Sequence, residues 1–212
     1  MIFAQTQSPV IADDECLIKV FAIGVNRADL LQRAGKYPAP AGESEILGLE
    51  VAGELVQLGS AVNSQEWRQG TKVFALVAGG AYAQYVKVKA TQLFQLPQSF
   101  SFSQGAACAE VFLTAYQSLF TIANLQANSQ VLIHAGASGI GTAAIQLAKA
   151  RQCTVTATVS NEEKAQACLA LGADHVINYH ETDFVVWAKE HISAGFDVIV
   201  DRSCGRLFNA KY

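Results

Sequence analysis

Charge is scarce in this chain of 212 residues: Asp, Glu, Lys and Arg make up 16% of it, and 15 basic against 18 acidic side chains leave a net charge of −3. A weakly acidic surface has no basic field with which to displace counterions from phosphates, which argues against a nucleic-acid binder. Cysteine is sparse and scattered. Cys16, Cys108, Cys153, Cys168 and Cys204 are odd in number and form no CxxC pair, so neither a disulfide framework nor a zinc finger is expected. Dispersed thiols of this kind suit a reducing cytoplasm. No apolar run reaches the ~18 residues of a membrane span. The N-terminus MIFAQTQSPVIADDE lacks the basic-then-apolar pattern of a signal peptide. What the chain does have is hydrophobicity, 51% of residues, enough for a sizeable core and too much for disorder.

Two styles meet near residue 100. The first half reads as short strands between glycine-rich turns: Cys16 to Ile23, Glu50 to Leu58, Lys72 to Val77 and Ala81 to Val88, with a short helical turn at Asn26 to Arg33 and a loop at GKYPAPAGE. Ser101 and Gln104 are spaced as a capping box opening one long helix. Strict alternation follows. Strands are expected at Gln130 to Ala135, Thr154 to Val159, His175 to Tyr179 and Phe196 to Asp201, with helices at Thr142 to Ala150, Asn161 to Leu171 and Asp183 to Ile192. Such alternation predicts a parallel, doubly wound α/β sheet. The domains are placed at residues 1–113, mostly β, and 114–212.

The chemistry-bearing motif is Ala135-Gly136-Ala137-Ser138-Gly139-Ile140-Gly141, which follows a strand and opens a helix. In that context a tight turn brings backbone amides and the helix dipole up to a pyrophosphate. Gly136, Ser138, Gly139, Ile140 and Gly141 are the expected dinucleotide-binding residues. Ser138 stands where GxGxxG has a glycine, and an ordinary tight βα turn is the alternative. The second strand ends Val159-Ser160-Asn161, without the carboxylate that holds the ribose diol of NAD. Ser160, Lys164 one turn on, and Tyr179 at the end of the third strand instead suit a 2′-phosphate, so NADPH is the expected cofactor. Ser160 and Glu163 also fit a capping box. No metal site is expected. His134 reads as a satisfied core histidine, His175 and His180 as surface residues, and His191 has no partner at ligand spacing.

NRADLLQRAGKYPAPAG, ILGLEVAGEL and HAGASGIGTAAIQLAK together resemble the quinone-oxidoreductase branch of the medium-chain dehydrogenase/reductases, and the likeness runs from about Glu15 to Asp201. The resemblance implies a GroES-like, mostly β catalytic domain followed by a Rossmann domain, a homodimer, and hydride transfer from NADPH to a quinone or similar electrophile. Zinc-dependent relatives hold their catalytic metal at positions that fall on Asn26, Leu49 and Glu110 here, so zinc-independent chemistry is implied. Asn26, Asp29 and Tyr37 are the expected catalytic residues, with helix capping as the alternative for the first two and a turn tyrosine beside Pro38 as that for Tyr37. Thr114 matches a position near the nicotinamide, and a helical threonine bonded to a preceding carbonyl is its alternative. An enoyl or enone reductase on the same scaffold, and a non-catalytic NADPH-binding fragment, are the rival readings.

The family pattern extends past both ends of this sequence. The chain is therefore expected to be truncated, with both domains incomplete, the usual dimer edge missing, poor solubility, and weak or no turnover of its own. The tail RSCGRLFNAKY departs from the family continuation. A reading frame shifted near Arg202 is the expectation for it, with a genuine short isoform or a naturally divergent tail as the alternatives.

Overall fold

The computed structural model describes Ile2 and residues 4–201. The frameshift expectation falls on residues 202–212 and lies outside the described residues. The chain divides into two compact units, one ending at Glu110 and one beginning at Val111.

The first unit is a five-stranded antiparallel sheet in the order β4-β1-β2-β3-β5. Its strands are β1 (Glu15–Ile23), β2 (Glu50–Leu58), β3 (Lys72–Leu76), β4 (Tyr85–Lys89) and β5 (Leu93–Gln95). Alternation in β1 turns Cys16 and Ile18 into a core with Val51, Leu55, Trp67, Val73 and Val86, while Lys19 and Phe21 face out. Two register shifts, at Leu17/Ile18 and Val20/Ala22, bend β1 against β2. Helix α1 (Arg27–Arg33) follows β1, and α2 (Phe102–Ala106) packs on β1, β2 and β3.

The strand expected from Ala81 starts only at Tyr85. Backbone amides of Ala81 and Tyr82 are drawn to the carbonyls of Gly48 and Leu47, which removes those residues from the ladder. The helix expected to run on from Ser101 is also broken. Its capping box forms, with Ser101 Oγ accepting from the Gln104 amide at 3.2 Å and Gln104 Oε1 from the Ser101 amide at 2.9 Å. The helix nevertheless stops at Ala106, and α3 (Ala109–Tyr116) starts afresh. Its fresh amides include that of Glu110, which donates to the Glu50 carboxylate rather than to a preceding turn. A π-helical segment, Gln117–Ile122, ends this stretch.

The second unit is a four-stranded parallel sheet built from β6 (Gln130–Ile133), β7 (Thr154–Val159), β8 (His175–Asn178) and β9 (Val198–Val200) in the order β8-β7-β6-β9. Numbered within the unit this is 3-2-1-4, the doubly wound order whose switch point lies between β6 and β9. Helices α4 (Gly139–Ala150), α5 (Glu162–Ala170) and α6 (Phe184–His191) connect the strands. Val131, Ile133, Val155, Ala157 and Val159 pack with the α4 and α5 residues Ile145, Ala148 and Cys168. Leu132 and Ile177 pack with Phe184 of α6 on the other face. Burial on both faces explains why β6 and β7 read as near-continuous apolar runs.

His134, just after β6, is only half satisfied. Nδ1 lies 3.0 Å from Thr158 Oγ1 and the ring meets Phe184 edge-on, but buried Nε2 has no hydrogen-bond partner. Burial pushes the imidazole below its usual range, partly opposed by the Asp201 carboxylate. The unfolded chain therefore binds a proton that the folded chain resists. Stability is retained above pH 6.5 and falls as the pH drops from there through the lowered value. His134→Gln is expected to remove this component of the acid loss, as read from urea unfolding between pH 7 and pH 5. An unchanged pH slope would refute the assignment.

Candidate functional site

The turn after β6 is built by close backbone approach. A Cβ on Gly141 would lie 2.4 Å from the Ala135 carbonyl oxygen and 2.5 Å from that of Gly136. A Cβ on Gly136 would meet Ala157 Cβ at 2.7 Å and Cys168 Sγ at 3.0 Å, so this residue lets α5 and β7 close on the turn. Ala135 adopts φ +53°, a left-handed conformation rare for a residue with a Cβ. Ser138 caps α4, its Oγ accepting from the Gly141 amide at 3.1 Å. The helix therefore begins three residues before the expected Thr142, and Gly139, Ile140 and Gly141 form its first turn. Gly139 faces Val111, and Ile140 is buried in the core. What remains at the turn is a helix N-terminus with a bare backbone approach, the cradle a pyrophosphate needs.

At the tip of β7, Lys164 Nζ donates to Ser160 Oγ at 2.8 Å. The Tyr179 amide donates to the Val159 carbonyl at 3.1 Å, which brings Tyr179, half exposed, to the same strand end. The capping box expected on Ser160 and Glu163 does not form. Asn161 is the N-cap, and its Oδ1 accepts from the Lys164 amide at 3.0 Å. Asn161 takes over the capping, and the Ser160 hydroxyl is free to pair with the Lys164 ammonium. Thr114 lies on α3, where its carbonyl accepts from Ser118 Oγ at 2.8 Å.

In the first unit, two of the three expected catalytic residues, Asn26 and Asp29, belong to a buried polar network. Asn26 is the N-cap of α1. Its amide donates to Asp29 Oδ2 at 2.8 Å, and its Nδ2 donates to Glu50 Oε1 at 2.8 Å. Asp29 is 2% exposed, and Oδ2 also accepts from the Tyr82 hydroxyl at 3.1 Å. Burial and the Asp29 carboxylate push the Tyr82 phenol up to about 12. Oδ2 of Asp29 is thus shared by the α1 N-terminus and Tyr82, while its buried Oδ1 has no hydrogen-bond partner. Tyr37 stands apart, in the bend after α1 and 47% exposed. Glu50 and Tyr82 were not singled out from the sequence. The apolar neighbours of Glu50 at the start of a strand gave no sign that its carboxylate is buried.

The positions aligned with zinc ligands carry an amide bonded to Glu50 (Asn26), a hydrocarbon (Leu49) and Glu110. This donor set does not fit a zinc ion, and among the described residues no group of three or more His, Cys, Asp or Glu could hold a metal. No described helix is long and apolar enough to cross a membrane.

Residues 12–98 match the alcohol dehydrogenase GroES-like domain, and residues 139–212 match the family described as zinc-binding dehydrogenase. A quinone oxidoreductase of Pongo abelii is 33% identical over 195 residues, covering 91% of this chain and 59% of its own. The Escherichia coli quinone oxidoreductase, solved in complex with NADPH, is 36% identical with a TM-score of 0.77, covering 92% of this chain and 58% of that one. The CurK enoyl reductase is 29% identical with a TM-score of 0.82, covering 93% and 61%. The chain thus spans about 59% of the length of the quinone oxidoreductases it matches.

Proposed function

Since the chain belongs to the quinone-oxidoreductase branch of the medium-chain dehydrogenase/reductases, we propose that it is the part of an NADPH-dependent reductase that binds the cofactor and faces a quinone or related electrophile. The observation that carries the cofactor choice is the Lys164–Ser160 pair at the tip of β7, 2.8 Å apart, where the strand ends in Val159-Ser160-Asn161 rather than a carboxylate. A 2′-phosphate placed there finds an ammonium and a hydroxyl, a charge-assisted arrangement that a ribose diol does not exploit. The cradle of Gly136, Ser138, Gly139, Ile140 and Gly141 would take the pyrophosphate, with Tyr179 at the adenosine end and Thr114 toward the nicotinamide.

Bound NADPH would supply the hydride. The chain's own residues supply position and hydrogen bonds, which suffice for an acceptor as electrophilic as a quinone. Asn26 donates through its second Nδ2 proton to the oxygen that gains charge, and the exposed Tyr37 hydroxyl donates to the same class of oxygen. Asp29 holds Asn26 at its backbone. The four described cysteines are unpaired, three of them buried, which fits a reducing cytoplasm.

NADPH titration of the full chain, followed by tryptophan fluorescence, tests the cofactor assignment. NADPH is expected to bind more tightly than NADH, and Lys164→Gln to lose about tenfold for NADPH, roughly 1.4 kcal/mol, with NADH unchanged. Equal losses for both nucleotides would refute the phosphate assignment. Turnover of 1,4-benzoquinone, an enoyl thioester, or neither then separates the quinone reading from the enoyl reductase and the binding-only readings. The CurK likeness makes the second of these the rival to assay first.

A further inference from the structure

We propose that Glu50 is a positioning residue: its buried carboxylate holds the Asn26 carboxamide with its nitrogen inward and its Oδ1 toward the Asp29 amide, as in a capping box, leaving one Nδ2 proton for a ligand. The inference rests on the reading above that Asn26 faces the hydride acceptor.

Glu50 is 3% exposed at the first residue of β2, and each of its carboxylate oxygens has a donor. Oε1 accepts from Asn26 Nδ2 at 2.8 Å, and Oε2 accepts from the Glu110 amide at 2.9 Å, in the first turn of α3. Both donors are fixed, one by the α1 N-terminus and the other by a helix whose dipole favours a negative charge there. The carboxylate has no room to turn. It fills the space of an absent side chain at Gly24, where a Cβ would lie 2.0 Å from Oε1 and 2.5 Å from Cδ. The Gly24 amide is itself bonded to the Glu50 carbonyl at 3.3 Å, so β1 and β2 close on the group from the backbone side.

A carboxylate only accepts, so it admits the nitrogen of a neighbouring carboxamide and repels its oxygen. Asn26 has two chemically opposite orientations, and Glu50 selects one. The charge it carries also polarises the remaining N–H of the same nitrogen, which is the donor assigned above to the developing oxyanion. Glutamine at position 50 reverses the choice: Asn26 Oδ1 leaves the Asp29 amide, which keeps the Asn26 carbonyl at 3.2 Å. Its oxygen keeps the Glu110 amide, its nitrogen faces Asn26, and the Asn26 carboxamide turns over to present Oδ1 inward.

The test uses the full chain labelled with ¹⁵N-asparagine. Asn26 is identified by the carboxamide pair lost in Asn26→Ala. One proton of that pair is expected far downfield in the parent, as for a bond to a carboxylate. In Glu50→Gln it moves to the position of an amide–amide bond. With NADPH and 1,4-benzoquinone, Glu50→Gln is expected to lower kcat about tenfold, with the Kd for NADPH unchanged. Adding Glu50→Gln to Asn26→Ala costs nothing further, because the residue it positions is gone. A purely structural Glu50 would instead give additive losses. An unmoved Asn26 pair in Glu50→Gln, or additive losses in kcat, overturns the proposal. If the parent reduces no quinone, the functional reading above fails, while the carboxamide signal still decides what orients Asn26.

Discussion

Gly141→Ala is expected to destabilise the second unit by about 3 kcal/mol and to weaken NADPH binding by roughly two orders of magnitude. The added methyl meets the carbonyl oxygens of Ala135 and Gly136 at 2.4 and 2.5 Å, and these are backbone atoms of the turn itself. They have little freedom to retreat. Ala135 already sits at φ +53°, the Gly136 amide is tied to the Thr158 carbonyl, and the Ser138 amide to Ala135. The turn must open, which carries the first-turn amides of α4 away from a bound phosphate. Gly139→Ala is the matched comparison. Its methyl meets only Val111 Cγ1 at 3.0 Å, a side-chain atom that can shift, and alanine favours a helix. Its stability is expected within about 1 kcal/mol of the parent. Urea unfolding and NADPH titration of the two variants check this, and equal behaviour would refute the steric account.

Asp29→Ala is expected to cost about 3 kcal/mol in the first unit. The substitution leaves two donors, the Asn26 amide and the Tyr82 hydroxyl, without the oxygen that both use. An unpaired buried donor costs more than the bond it made, because water does not replace the partner. Tyr82→Phe removes only one donor and leaves Asp29 on the Asn26 amide, so about 1 kcal/mol is expected. The same contact sets an alkaline signature. The Tyr82 phenol is held up to about 12, above its ordinary 10.0, so it favours the fold while protonated. That contribution is intact below pH 10 and is lost as the pH rises toward 12. In Asp29→Asn the phenol is expected to ionise at lower pH, read from phenolate absorbance against Tyr82→Phe. An unshifted titration would remove Asp29 as a cause.

Determined by the sequence itself were the order of elements and the turn at residues 135–141. Both are local. Period-two alternation in β1, continuous apolar runs in β6 and β7, and glycines at 136, 139 and 141 each state a backbone requirement within a few residues. The tip of β7 was legible for the same reason, since Ser160 and Lys164 lie one turn apart. The capping residue there was misread by one position, because Ser160 and Asn161 are both good caps and only the geometry chooses.

Tertiary structure alone decided the rest. Gly105 is the sole local sign of the break between α2 and α3, and a lone helical glycine is often tolerated. A carboxylate 60 positions earlier supplies the partner that the Glu110 amide takes. Tyr82 meets Asp29 across 53 residues, and Asn26 meets Glu50 across 24. Burial makes these pairings matter. At a surface the same carboxylates would be solvated and worth little, whereas at 2% and 3% exposure each must find its donors within the fold. Spacing along the chain carries no trace of such partners, because long-range donors and acceptors are brought together by the packing of strands rather than by any local period.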